Sequence, residues 1–164
     1  MITKAVVMTN PGKLAVEEVN IRERSVEDVI VDIHYSGIST GTEKLFWNGK
    51  MPPFPGMGYP LVPGYESTGE VVSAHKSSGL KPGDFVFVPG ADCFASPVRS
   101  LFGGAAKRIA SPPKRLIKID PGMGANGALF ALAATARHAI AGFGNKMPEV
   151  IVGHGVLGRL LARL

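Results

Sequence analysis

The sequence predicts a mainly β fold, a small barrel or sandwich of short strands, followed by the opening of a second unit built as strand, glycine loop and helix. Three observations carry that expectation. Short apolar runs recur between turns that draw on the chain's 21 glycines and 13 prolines, which is how a many-stranded β domain is punctuated. Val29, Val31, Ile33 and Tyr35 alternate with Ile30, Asp32 and His34, the period of two expected of a strand with one face buried. Beyond Pro121 the texture changes to a run rich in Ala and Leu, residues that favour helix over strand. With 164 residues, 45% of them hydrophobic, the chain has enough apolar surface to build a core without disulfide or metal staples.

Taken in order, Ile2–Met8 and Leu14–Val19 read as two strands joined by the turn Asn10-Pro11-Gly12. The alternating strand from Val29 to Tyr35 runs into Ser36-Gly37-Ile38-Ser39-Thr40-Gly41-Thr42-Glu43. There Thr40 and Glu43 have the spacing of a capping box, so a short helix should start there and reach Trp47. The following loop holds Pro52, Pro53, Pro55, Pro60 and Pro63. Fixed φ angles should make it stiff. Glu66–Ala74 and Asp84–Val88 read as strands joined through Lys81-Pro82-Gly83, with Ala105–Ile109 and Leu116–Ile119 as two more. Gly124–Ala141 reads as one apolar helix and Glu149–Val152 as a short strand. The domain boundary is therefore expected between residues 123 and 124.

Composition removes several functions. The lone cysteine, Cys93, excludes an intrachain disulfide and any multi-cysteine metal site, and no base stands near it to make it a nucleophile. The start of the chain lacks the basic and apolar regions of a signal peptide. No apolar run approaches the ~18 residues of a membrane span. A cytoplasmic protein is expected. The net charge of +5 raises nucleic acid as a partner, but Lys107, Arg108, Lys114, Arg115 and Lys118 have no aromatics between them and read as a solvated face. His34, His75, His138 and His154 are scattered without the spacing of metal ligands.

The end of the chain is more informative. Gly153, Gly155 and Gly158 follow an apolar strand candidate and precede an apolar helix start. In that setting the first glycine allows a tight turn, the second lets the backbone approach a pyrophosphate, and the third lets the helix pack closely. An ordinary strand-turn-helix corner is the plainer alternative. An acidic ribose partner would stand ~20 residues further on, past Leu164, so the sequence reads as the front part of a longer dinucleotide-binding protein.

These parts, in this order, resemble the medium-chain dehydrogenase/reductase superfamily. The matching pieces are SGISTGTE from Ser36 to Glu43, PGYESTGEVV from Pro63 to Val72, KPGDFV from Lys81 to Val86 and GHGVLG from Gly153 to Gly158. The resemblance implies a GroES-like barrel as catalytic domain over residues 1–123, and a linking helix with the truncated start of a Rossmann domain over 124–164. Longer strings, LFGGAA, LFALAATA and VGHGVLGRL, are similar to the branch of that superfamily active in bacteriochlorophyll a synthesis. That branch implies oxidation of the C3 1-hydroxyethyl group of a bacteriochlorophyllide-type pigment to acetyl, with NAD as hydride acceptor. Any homo-oligomer would form through the domain missing here.

Zinc-dependent members hold the metal where this chain has Ser39 or Thr40, Tyr65 and Ala131. Hydroxyls and a methyl group are not the N/S donors zinc prefers, so no metal is expected. By resemblance Thr42 relays the alcohol proton, and Thr135 belongs near the nicotinamide, though it would equally serve as a helix residue bonded to its own backbone. Tyr65, standing where a ligand would be, is a candidate proton donor or acceptor, or else a packing residue. Lys44 would lower its pKa, and Glu66 would oppose that. Trp47, Phe54, Met57 and Tyr59 crowd one stiff segment and suit a flat macrocycle, or simply close the barrel. The rival functions are a quinone or carbonyl reductase of the same superfamily, a non-catalytic pigment-binding module, and, more remotely, a co-chaperonin, which would not need the glycine loop.

Overall fold

The computed structural model describes residues 1–100, 102–142, 144 and 148–164. Its contacts divide into two compact units, Met1–Ala128 and Leu129–Leu164. The first is mainly β. Strands β1 (Ile2–Asn10) and β2 (Lys13–Asn20) form an antiparallel hairpin. The second sheet contains β3 (Val29–Ser36), β4 (Ser67–Ser73), β5 (Phe85–Val88), β6 (Arg108–Ser111) and β7 (Ile117–Lys118), in the order β6-β3-β4-β5-β7. All of its pairings are antiparallel.

Backbone bonds outside the strands tie the hairpin to this sheet. Val6 N–H donates to the Ala105 carbonyl at 2.9 Å and Lys107 N–H to that of Lys4 at 2.8 Å, while Met8 and Leu61 exchange both of their bonds. The two sheets thus curl around one core, as expected of a small barrel. β-Branched residues dominate it: Val7, Val29, Val31, Val62, Val71, Val86, Val88 and Ile109 are all fully buried, the positions where stiff branched side chains pack well. β3 departs from simple alternation. Ile30 is buried along with Val29 and Val31, where an irregularity in the pairing with β4 falls between Ile30 and Val31 and interrupts the alternation.

Several boundaries differ from those read in the sequence. β6 starts at Arg108 rather than Ala105, because Ala105 and Lys107 give their backbone bonds to β1. β4 and β5 each begin one residue later than expected, and β7 is reduced to Ile117–Lys118. Residues 121–129 form 3₁₀ turns broken at Gly124, and the α-helix α2 starts only at Phe130 and ends at Ala141. Gly122, Gly124 and Gly127 explain the delay, since each carries a large entropic cost in a helix.

In the second unit, α2 packs against the short helix α3 (Val156–Leu161). The strand expected at Glu149–Val152 does not form. A strand exists through a neighbour's backbone groups, and no described residue offers them there. Among the described residues, no helix is long and apolar enough to cross a membrane.

Where β3 meets β6, Asp32 stands opposite Arg108. The guanidinium grips the carboxylate with two bonds, at 2.5 and 2.7 Å. Arg108's hydrogen bonding holds the Asp32 carboxyl below its ordinary pKa, with Lys107 and His34 adding to the effect. A carboxyl lowered in this way stabilises the fold above its unfolded pKa and loses that contribution as pH falls. Asp32→Asn should therefore lower the neutral-pH melting temperature by a few degrees, or about 1 kcal/mol after solvent screening. The gap from wild type should close on acidification, which thermal melts across pH would show.

Candidate active site

Three backbone segments meet at the end of β3. Gly37 N–H donates to the Glu66 carbonyl at 2.7 Å, Gly104 N–H to that of Gly64 at 2.8 Å, and Ala105 N–H to that of Pro63 at 2.9 Å. Ser67 Oγ adds bonds to Ser36 Oγ at 3.0 Å and to the Gly104 carbonyl at 3.2 Å. The loop leaving β3, the turn before β4 and the approach to β6 are thus fastened together.

Helix α1 (Thr42–Trp47) follows the loop, and its cap lies one residue later than the sequence suggested. Its N-cap is Gly41 rather than Thr40, with no side-chain cap; just before it, Ser39 Oγ accepts the Thr42 N–H at 3.2 Å, and Glu43 Oε2 accepts the Ser39 N–H at 2.6 Å. This reciprocal pair satisfies two amide donors at the helix start. It also fixes Glu43, which is buried. Burial raises the Glu43 pKa, and the negative charge of Glu66 raises it further, against the Ser39 and Gly64 amides that favour the ionised form.

Glu66 is buried as well, and burial raises its pKa. Among the described residues it has neither a side-chain hydrogen bond nor an ion pair. It occupies the space left by Gly37, where a Cβ would stand 3.0 Å from Glu66 Oε2 and 3.1 Å from its Cβ. Sequence reading treated Glu43 as a cap and Glu66 as the first residue of a strand, and missed that both are buried. The available signal was the run around Glu66: Ser67 and Thr68, on opposite faces of β4, are both fully buried, so alternation fails there.

The residues singled out in the sequence fall into separate groups. Thr42 opens α1 beside Glu43. Tyr65 is half-buried and rests on Phe102, with ring centroids 5.3 Å apart. Phe54, Met57 and Tyr59 pack with Met51 and Phe102 around Met8, Phe46 and Leu61. The Tyr59 hydroxyl donates to the Phe46 carbonyl, so it serves the fold. Trp47 is exposed and lines a different space, an apolar cavity of about 840 Å³ bounded by Leu14, Val16 and Ile38. Ser36, Ser39, Thr40 and Glu43 line the same cavity, as do Lys4, Lys44, Lys107 and His34. Its volume is in the range of small-molecule sites.

In the second unit, Thr135 Oγ1 donates to the Ala131 carbonyl at 3.0 Å, one turn back in its own helix. Gly158 approaches Gly153 so closely that a Cβ would lie 2.2 Å from the Gly153 carbonyl oxygen, whereas a Cβ on Gly155 would meet open space. Cys93 is buried and its thiol is pushed up to about 11, unsuited to nucleophilic work. Ser39, Thr40 and Tyr65 offer hydroxyl oxygens, a poor donor set for zinc. No group of three His, Cys, Asp or Glu residues among those described is placed to hold a metal.

Comparison with known proteins adds three findings. Residues 25–121 match the family described as the alcohol dehydrogenase GroES-like domain. The whole chain is 60% identical to the 2-desacetyl-2-hydroxyethyl bacteriochlorophyllide A dehydrogenase of Rhodobacter capsulatus, and 58% identical to the protein of the same name in Cereibacter sphaeroides. It covers 52% and 53% of those relatives, so it spans about half their length. Among solved structures, a protein described as a zinc-binding dehydrogenase from Sinorhizobium meliloti, bound to NADP, is 26% identical with a TM-score of 0.76, over 98% of this chain and 52% of its own.

The two buried carboxylates have a thermodynamic consequence. A carboxyl whose folded pKa is raised costs no stability below its unfolded pKa and progressively more as pH rises toward its folded value. Glu66→Gln keeps the shape and removes the charge. Its melting temperature should match wild type in acid and exceed it by a few degrees at neutral pH, on the order of 1 kcal/mol. A neutral-pH melt no higher than wild type would mean that the Glu66 charge is compensated.

Proposed function

The chain belongs to the alcohol dehydrogenase GroES-like domain family, and from that premise we propose that it is the front half of a nicotinamide-dependent secondary-alcohol dehydrogenase of bacteriochlorophyll a biosynthesis. The substrate is a bacteriochlorophyllide-type pigment, whose C3 1-hydroxyethyl group is oxidised to acetyl. The observation that carries this reading is the 60% identity to the Rhodobacter capsulatus relative over all 164 residues. The cofactor is NAD, by resemblance to that branch of the superfamily. The protein works in the cytoplasm, and self-association, where it occurs, uses surface beyond Leu164. Residues 1–123 form the catalytic domain, and 124–164 carry the linking helix and the start of the dinucleotide-binding Rossmann domain.

Gly153, Gly155 and Gly158 would hold the pyrophosphate of the cofactor, with the backbone approach that glycine permits. When bound, the nicotinamide supplies the hydride acceptor. Thr135 would have to release its bond to Ala131 to reach that cofactor. On the catalytic side, the family resemblance gives Thr42 the relay of the hydroxyl proton, and Tyr65, its ring held on Phe102, would steady the substrate oxygen. Trp47 supplies an exposed flat surface for the macrocycle. Phe54, Met57 and Tyr59 give the site its shape from the packed cluster behind it. No step runs through a metal, because the donor set does not suit one.

An absorption time course of the full-length protein with the hydroxyethyl pigment and NAD tests the reading. An acetyl carbonyl conjugates with the macrocycle where an alcohol does not, so the long-wavelength band should move to the red, only with cofactor present and undisturbed by a zinc chelator. Pigment binding without a shift would leave a binding module in place of an enzyme. Thr42→Ala should lower kcat by about 10²-fold, the usual worth of a positioned proton-transfer group, with little change in KM. Gly158→Ala should abolish NAD binding measured by fluorescence, since its Cβ would displace the Gly153 carbonyl.

A further inference from the structure

Lys4 and Lys107 stand directly opposite each other where β1 meets the approach to β6. The antiparallel Ala5–Ala106 bridge fixes that register. Val6 N–H donates to the Ala105 carbonyl at 2.9 Å on one side of it, and Lys107 N–H to the Lys4 carbonyl at 2.8 Å on the other. Like charges set opposite each other on neighbouring strands cost stability. Neither lysine forms an ion pair among the described residues. The nearby acids leave the mismatch in place. Glu18 opposes Lys4 from β2 without an ion pair, and Asp32, which lies in the field of Lys107, is already held by Arg108.

Both lysines line the apolar cavity, and Val6, Met8, Leu14 and Val16 continue its wall along the hairpin. Val6 pairs with Val16 and Met8 with Leu14, so this face runs apolar from the lysines toward the turn. At ~3.4 Å per residue, the stretch from Lys4 to Met8 covers roughly 14 Å. Beside the turn, the Trp47 carbonyl accepts the Gly12 N–H at 2.8 Å, which brings the end of α1 against the hairpin. A small inorganic anion would gain nothing from these walls, and a neutral apolar molecule nothing from the lysines. A flat apolar body with one carboxylate at its edge uses both. Resting on the dehydrogenase reading above, we propose that Lys4 and Lys107 bind the free propionate carboxylate of the pigment. Its macrocycle lies along the hairpin wall toward Trp47, and its hydroxyethyl group meets the loop that carries Ser39 and Thr40. The exposed lysines keep the carboxylate at the wet edge of the cavity, which avoids the cost of burying a charge. The two lysines thus select pigment with a free propionate over pigment in which it is esterified.

The test uses the full-length protein with the hydroxyethyl pigment as free acid and as its propionate methyl ester. Wild type should favour the acid by about tenfold in kcat/KM, mainly through KM, the worth of exposed charge-assisted bonds. Lys4→Gln combined with Lys107→Gln should bring that ratio close to one, and Lys4→Arg combined with Lys107→Arg should restore it. Lys76→Gln, outside the cavity lining, removes a positive charge and should leave the ratio as it is, which controls for long-range attraction. Equal use of acid and ester by wild type overturns the proposal. Resistance of Lys4 and Lys107 to an amine reagent in the pigment-free full-length protein also overturns it, because later chain would then cover them. If the double Gln variant keeps the preference but no longer attaches to phosphatidylglycerol vesicles as wild type does, the lysines serve a lipid surface and the proposal fails. Pigment binding followed by fluorescence separates the site from the reaction. A wild type that binds acid more tightly than ester yet oxidises neither refutes the dehydrogenase reading and leaves the carboxylate site standing.

Discussion

The first unit depends on the pairing of β3 with β4 and on the Gly37 N–H to Glu66 carbonyl bond that extends it. Strand pairing alone would leave the loop after β3 free to swing. One additional backbone bond stops it, and the Ser67 hydroxyl and the Gly64–Gly104 contact hold the other two segments against it. Everything argued about the site follows from this junction. It sets where α1 begins, which way Glu43 points, and that Tyr65 and Glu66 emerge next to the loop and not elsewhere on the barrel.

Electrostatics at the junction run against stability. A fold selected only for stability would place Gln or an apolar residue at position 66, since burial of the residue disfavours its charge and no ion pair among the described residues offsets that. The bonds Glu43 makes to amides offset part of its own cost, and none comparable acts on Glu66. Contrast Asp32, whose carboxyl is gripped by Arg108 near the opposite end of the same strand and is held ionised. One strand thus leads from a carboxylate whose charge the fold stabilises to a pair whose charge it resists. Resistance of that kind is what tunes a carboxylate to accept a proton.

Much of the fold was legible because its elements are local. Turns at Pro-Gly dipeptides and β-branched runs announce β1 to β5 within a residue or two of their observed limits. Boundaries failed where a partner far along the chain decided them: β6 begins late because β1 takes the bonds of Ala105 and Lys107, and Glu149–Val152 has no neighbour to make it a strand. The helix read from Gly124 starts late for the opposite reason, an apolar pattern overruled by Gly124 and Gly127. At the site, Thr42, Tyr65 and the glycine loop were visible as residue types at suggestive spacing. Burial of Glu43 and Glu66 was not, because it arises when segments some twenty residues apart close on each other, which spacing does not encode.

Replacing metal ligands with hydroxyls changes what the rest of a site must do. A metal both binds the substrate oxygen and makes its proton easier to lose. If the chain acts as the proposed dehydrogenase, Ser39, Thr40 and Tyr65 in those places would leave binding to hydroxyl hydrogen bonds, which orient an oxygen without acidifying it. The missing acidity must then be supplied by a base, and a base strong enough at neutral pH has to be one whose charge is disfavoured by its surroundings. Serine and threonine have no such state, and tyrosine needs a cation beside it. A buried carboxylate does have it, and Glu43, bonded to the Ser39 amide, lies buried on the wall of the cavity.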